Sequence, residues 1–228
     1  MEKIGIIAAM KEEMDGILSS MEDLNTTKYL GIEFNEGTIN DIEIVLVESG
    51  MGKANAAMAT TLLISEFGCD LIINTGIAGG LKGVETKDVV IANNAMYNDV
   101  DARLFGYEYG QVPGMPKYYT VNPECLTLVK STLNKLEIKY KEGLILSGDK
   151  FVSSYDTISE CKDLGALAVE MEGTAVAQVC TRAGRDFIIL RYISDVVGLP
   201  SQNEDYLKFE DEMARRSIKI TLALINSL

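Results

Sequence analysis

The sequence predicts a three-layer α/β/α fold built on a mostly parallel, twisted sheet. Short apolar runs alternate with segments of helical spacing along the whole chain, the pattern of repeated strand–helix–strand units. Two of these runs, Leu167-Ala168-Val169 and Phe187-Ile188-Ile189-Leu190, lead directly into polar clusters, Glu170-Met171-Glu172 and Arg191-Tyr192-Ile193-Ser194-Asp195. Ligands of open α/β sheets bind beyond the strand C-termini. Two glutamates, an arginine and an aspartate should therefore meet at one edge of the sheet, a set suited to acid/base work on a sugar or a nucleobase.

The elements follow from local pattern. Ile4 to Ala8 is the first strand, and it enters a helix whose apolar spacing runs through Met14, Ile17, Leu18 and Met21. Lys28 to Glu36 and Ile42 to Val47 read as paired strands with Asn40-Asp41 in the turn. Ser49-Gly50-Met51-Gly52-Lys53 opens an alanine-rich helix reaching about Phe67. Leu71 to Thr75 is a buried strand ending in Gly76-Ile77-Ala78-Gly79-Gly80, read as a tight strand-to-helix turn, and Asp88 to Ala95 is another strand. Asp99 to Tyr119 is a long aromatic loop with two prolines, and loops of that length are usually functional or interfacial. Pro123 to Leu136 is a helix, and Glu142 to Leu146 is a strand ending in Ser147-Gly148-Asp149. Thr174 to Arg182 and Tyr206 to Leu228 are helices, the second long and amphipathic.

Composition bounds the function. A chain of 228 residues, 47% hydrophobic and 24% charged, fits one globular domain over 1–228. Its net charge of -13 opposes nucleic-acid binding, which needs clustered cations, but not the binding of a nucleoside, which carries no phosphate. Cys69, Cys125, Cys161 and Cys180 lie far apart, with neither metal spacing nor a disulfide framework, as expected of a cytoplasmic protein. No signal peptide and no membrane span are expected. There is no histidine, so His-based triads, His-ligated zinc and histidine bases are excluded. Acid/base chemistry falls to Asp, Glu, Lys, Tyr or Cys, and no metal or cofactor is expected.

Two glycine motifs carry little alone. Gly50-Met51-Gly52-Lys53-Ala54 is not a P-loop, because Val47 and Ala54 stand where a glycine and a hydroxyl are needed. The turn instead lets a ligand approach the backbone. Gly76 to Gly80 lacks the GxGxxG order and reads as a floor for a flat base or ribose. Met171 alone could fill a core, Glu172 alone could complement a helix dipole, and Asp195 alone could cap a helix. A second carboxylate pair, Glu12-Glu13, also just past a strand, favours a site over these separate roles.

Val169-Glu170-Met171-Glu172, Ser194-Asp195, Ile4 to Met10 with Glu13, Gly76 to Gly80 and Phe105-Gly106-Tyr107-Glu108-Tyr109-Gly110-Gln111 together resemble the 5'-methylthioadenosine/S-adenosylhomocysteine nucleosidases of the nucleoside phosphorylase/hydrolase superfamily. The resemblance runs from end to end. It implies a homodimer with a central mixed sheet that cleaves the N-glycosidic bond of a 5'-alkylthioadenosine and releases adenine. By position, Asp195 would protonate adenine N7 beside Ser194, and Glu13 would activate water near Arg191. Glu172, with Glu170 nearby, would hold the ribose hydroxyls, and Met171 would pack on the ribose. Phe151 would stack on adenine, the Val152 backbone would read its edge, and Ala78 and Gly79 would line the site. Met10, Met51 and Tyr206 would surround the 5' group, with Ala102, Phe105 and Pro113 supplied by the second subunit, and Ala9 would belong to the substrate site. Three positions depart from the family pattern: Ile77 replaces an expected serine, Tyr206 a phenylalanine and Asn98 a histidine.

Two alternatives remain at this level. Phosphorolysis would need an anion site of arginine forks, yet the first arginine is Arg103 and the earlier segments offer only lysines such as Lys11 and Lys53. A non-catalytic nucleoside sensor on the same fold would have no need of an acid and a base.

Overall fold

The computed structural model describes residues 3–8, 11 and 14–228, with Glu210 and Asp211 described in backbone only. The strands are β1 (Lys3–Ala8), β2 (Glu22–Tyr29), β3 (Ile32–Ile39), β4 (Ile42–Glu48), β5 (Leu71–Gly80), β6 (Val89–Tyr97), β7 (Tyr119–Thr120), β8 (Tyr140–Ser147), β9 (Ala168–Glu170) and β10 (Asp186–Val196). The helices are α1 (Asp15–Leu18), α2 (Lys53–Ser65), α3 (Pro123–Lys135), α4 (Gly173–Ala183) and α5 (Gln202–Ile225). Among the described residues, no helix is long and apolar enough to cross a membrane.

Among the described residues, ten strands join one sheet in the order β10-β6-β8-β9-β5-β1-β4-β3-β2, with β7 paired to β6. β10 also pairs with β5. Strands β5, β9, β8, β6 and β10 therefore close into a barrel-like ring, and β1 to β4 extend from it as a wing. Helix α2 packs on β1 and α4, and α5 packs on β10 and β5. The sheet is mixed, as the resemblance implied, but it is not mostly parallel and it curls shut rather than lying flat as the middle of three layers. Parallel pairing joins β1 to β4 and β5, β10 to β5, and β8 to β6 and β9. Antiparallel pairing joins β3 to β2 and β4, β6 to β10 and β7, and β9 to β5.

Glycine makes the closure possible. Gly79 and Gly80 pair with Val169 and Ala168 of β9 on one side and with Asp195 and Val196 of β10 on the other. A Cβ on Gly80 would stand 2.7 Å from Val84 Cγ2 and 2.8 Å from Ile193 Cγ2. The run Gly76 to Gly80, expected as a strand-to-helix turn, instead continues β5, and the next element is β6.

Two further expectations change. The helix expected through Met21 is the single turn α1, after which Ser19 and Ser20 donate back to the carbonyls of Asp15 and Gly16 and the chain turns into β2. Lys28 to Glu36 is not one strand but a hairpin, turned by Leu30 (φ 48°) and Gly31 (φ 87°). The Asn40-Asp41 turn forms as expected, with both residues at positive φ.

Gly80→Ala is expected to cost about 1–3 kcal/mol, because the added methyl overpacks the closure between β5 and β10. Chemical denaturation measures the loss, and unchanged stability would contradict the tight contact.

Candidate active site

The C-terminal ends of β5, β9 and β10 form one wall of a cleft. The segment after β8, the turn after β4 and the first turns of α5 complete it.

Glu170, at the end of β9, is the fixed point. One carboxylate oxygen accepts from the backbone N–H groups of Glu172 (3.0 Å) and Gly173 (2.8 Å) and from Arg191. The other accepts from the Ser147 hydroxyl of β8. The helix-dipole role considered for Glu172 thus falls to Glu170, which sits against the first N–H groups of α4. Arg191 is 1% exposed. Besides Glu170 it donates to the Asn74 side chain and to the carbonyls of Asn74 and Leu190.

Glu172 is oriented from the opposite wall, where the Gly52 N–H donates to its Oε1 at 2.7 Å. Gly52 stands at φ 98°, open to glycine at little cost. The Gly50–Gly52 turn therefore presents a backbone donor to a carboxylate and carries Met51 to the rim of the cleft.

Asp195 lies within β10 and is no helix cap. The strand register shifts between Ile193 and Asp195, leaving Ser194 as a bulge. Successive strand residues normally face opposite sides, and the bulge lets Ser194 and Asp195 both line the cleft. The Asp195 carboxyl is 2% exposed and accepts from Ser194 Oγ at 2.7 Å and from Gln202 Nε2 at 2.8 Å. Burial raises its pKa and the nearby Asp205 charge adds to the rise, while the two hydrogen bonds act against it.

The mouth is apolar and aromatic. Phe151 and Tyr206 meet edge-on with ring centroids 5.7 Å apart, and Phe151 stays 56% exposed. Met171 and Val152 line the same cleft, as do Ile77, Ala78 and Gly79 along its β5 floor. Thus Met51, Phe151, Tyr206 and the β5, β9 and β10 residues expected from the sequence do converge. Ala102, Phe105 and Pro113 do not line their own chain's cleft, and neither does Asn98, which is buried behind Gly148. The expectations for Ala9, Met10 and Glu13 fall outside the described residues.

The sequence alone did not mark Asn74, Thr75, Lys150 and Gln202, all of which line the cleft. Asn74 carried a signal, since a polar side chain follows Leu71-Ile72-Ile73 inside a buried strand. Gln202 carried none, lying in the polar run Ser201-Gln202-Asn203-Glu204-Asp205.

Residues 3–226 match the family model described as the phosphorylase superfamily. A 5'-methylthioadenosine/S-adenosylhomocysteine nucleosidase of Halalkalibacterium halodurans is 42% identical over 231 residues, covering 100% of both chains. The chain belongs to this nucleosidase family of the phosphorylase superfamily. Two solved nucleosidases of the family carry inhibitors. The Neisseria meningitidis enzyme, in complex with methylthio-immucillin-A, is 34% identical with a TM-score of 0.95 and full coverage of both chains. The Streptococcus pneumoniae enzyme, with the transition-state inhibitor MT-ImmA, is 37% identical with a TM-score of 0.91 over 99% of both chains.

Glu170→Gln is expected to destabilise the protein by about 3–5 kcal/mol, because Arg191 would keep its charge in a buried setting without the matching carboxylate. Chemical denaturation reads the loss, and a wild-type midpoint would contradict it.

Proposed function

We propose that this chain hydrolyses the N-glycosidic bond of 5'-methylthioadenosine and S-adenosylhomocysteine, giving adenine and the 5-thioribose product. The observation that carries the proposal is a buried carboxyl, Asp195, whose proton is favoured by burial, facing the same cleft as the anchored carboxylate Glu172. Adenine leaves poorly as an anion and readily once N7 is protonated. Asp195 supplies that proton, with Ser194 holding the carboxyl in place. As the C1'–N9 bond breaks, the ribose gains oxocarbenium character, as in other glycoside hydrolyses. Glu172 bonds the ribose hydroxyls and offsets the developing charge, and Met171 packs on the sugar. Glu13 takes a proton from the water that adds to C1', giving the complementary acid/base pair. Phe151 stacks on the base, the Val152 backbone reads its edge, Met10, Met51 and Tyr206 surround the 5' group, and Ala9 belongs to the substrate site. Ile77 leaves the water without a serine hydroxyl, which lowers the rate without removing a catalytic carboxylate.

Water is favoured over phosphate as nucleophile by the state of Arg191. Lys150 and Arg191 are the cations among the described residues lining the cleft, and both terminal nitrogens of Arg191 already donate to protein oxygens. No fork is left to them for a phosphate.

The working unit is a homodimer. Leu104 and Phe105 are 90% and 77% exposed on a loop braced by the Arg103 ion pairs with Asp101 and Glu160. A second copy covers this patch, and its Ala102, Phe105 and Pro113 close the 5' pocket. The four cysteines are free and buried, in keeping with the reducing cytoplasm, where we place the protein as one domain over 1–228.

Purified protein is expected to release adenine and free methylthioribose from 5'-methylthioadenosine equally well with and without phosphate. Phosphate-dependent release of a sugar 1-phosphate would replace the hydrolase reading with a phosphorylase one. Asp195→Asn and Glu13→Gln should each lose most turnover, on the order of 100-fold or more, with unchanged melting curves. Because Asp195 works in its acid form, kcat/KM should be present below its folded-state pKa and fall as pH rises through it. That limb should lie above the free aspartate value of about 3.9. Phe105→Ala should raise KM more than it lowers kcat and weaken self-association in sedimentation, whereas a monomeric wild type with full activity would exclude the shared pocket.

A further inference from the structure

Gln202, the first residue of α5, stands between the acid and the base-reading segment. It is 4% exposed and lines the cleft. Its Oε1 accepts from the Gly198 N–H at 3.0 Å, which settles which end of the amide carries hydrogens. Its Nε2 then donates one hydrogen to Asp195 Oδ2 at 2.8 Å and the other to the Val152 carbonyl at 2.9 Å. Both donors and an acceptor lone pair of the side chain are engaged, and all three partners belong to segments that shape the cleft.

The bond to Oδ2 has a consequence for the proton. An amide N–H can only donate, so the oxygen facing it is best kept as the carbonyl-type acceptor of a neutral carboxyl. The proton of Asp195 then belongs on Oδ1. That oxygen lies 2.7 Å from Ser194 Oγ, and the Ser194 hydroxyl has a second acceptor in the Ala78 carbonyl at 3.4 Å. The serine can therefore turn its hydrogen to Ala78 and accept from Oδ1, holding the proton until a stronger acceptor arrives.

We propose that Gln202 is a positioning residue: it assigns the transferable proton of Asp195 to Oδ1 and clamps the acid to the Val152 segment, so that the acid and the base-reading backbone keep one spacing. This rests on the hydrolase reading above, in which Asp195 is the acid. The residue acts through Asp195 and Val152.

Among the described residues, the charged groups around Asp195 are Lys150 after β8, Glu170 and Glu172 at β9, Arg191 on β10 and Asp205 on α5. The β5 wall contributes none, offering Asn74, Thr75 and the residues from Gly76 to Gly79. None of these is altered by changing Gln202. The hydrogen bond from Gln202 favours the ionised form of Asp195, so removing it should let the carboxyl hold its proton to higher pH.

The test is Gln202→Met, which keeps length and bulk and removes both donors. We expect kcat/KM at its pH plateau to fall about 10- to 100-fold, as for a misplaced catalytic group, while the alkaline limb moves to higher pH. Loss of folded protein alone would lower the plateau and leave the limb in place. A second readout needs no turnover: carboxyl-carbon NMR of protein labelled with ¹³C-aspartate, with Asp195 assigned by its absence in Asp195→Asn. The Asp195 midpoint should rise in Gln202→Met. If that variant does not fold, Gln202→Glu keeps the shape and sets a second carboxyl against Oδ2, and it should raise the midpoint further. An unmoved limb together with an unmoved midpoint would overturn the proposal and leave Gln202 a packing residue. Failure of the wild type to release adenine would overturn the hydrolase reading, and the NMR midpoint would still decide whether Gln202 controls the Asp195 proton.

Discussion

The buried Glu170–Arg191 pair is the interaction on which the rest of this structure depends. Glu170 ends β9, Arg191 belongs to β10, Ser147 ends β8 and Asn74 belongs to β5, so one connected polar network ties together four of the five strands that close the ring. The same carboxylate receives the first N–H groups of α4. Removing two charges from water is costly, and a buried pair is not by itself a source of net stability. What it supplies is register. With each partner held by several hydrogen bonds, strand ends of different lengths and directions must stop at one level, and that level is the wall of the cleft.

Closure and chemistry share the same few residues. Gly79 and Gly80 let β9 and β10 approach β5 from both sides, and the Ser194 bulge in β10 lies opposite this tight segment. The bulge brings Asp195 into the cleft while the surrounding strands keep water from it. Burial then raises its pKa, so the geometry that closes the ring also shifts this carboxyl toward its protonated form. Without histidine in the chain, a raised carboxyl pKa is one route to a general acid.

The carboxylates that flank Met171 divide their work by environment. Glu170 is held on both oxygens by protein donors and serves the scaffold first. Glu172, two residues later, is anchored through one oxygen by the Gly52 N–H and lines the cleft. Chemically identical side chains two residues apart thus meet different surroundings, one a helix N-terminus and an arginine, the other the Gly52 N–H of the opposite wall.

Local pattern determined the strand and helix segments around the site and the clustering of Glu170, Glu172, Arg191 and Asp195, because apolar runs that end in charge mark strand ends at a ligand edge. It also marked Met171 by its place between two glutamates, the resemblance to the nucleosidases added Phe151 and Val152, and the absence of histidine excluded histidine chemistry outright. Local pattern did not show that Leu30-Gly31 would break a strand into a hairpin, because that pair is a weak turn signal beside Asn-Gly or Asp-Gly. Nor did it show that Gly76 to Gly80 would remain extended, since a glycine run reads as a turn until two neighbouring strands are seen to need its lack of side chains. The ring closure through β5 and β10, the bulge that turns Asp195 inward and the choice of Gln202 as its partner were decided by tertiary structure alone. Each depends on contacts between segments distant in sequence or on the closure of the whole sheet, and the period of a single segment carries no record of them.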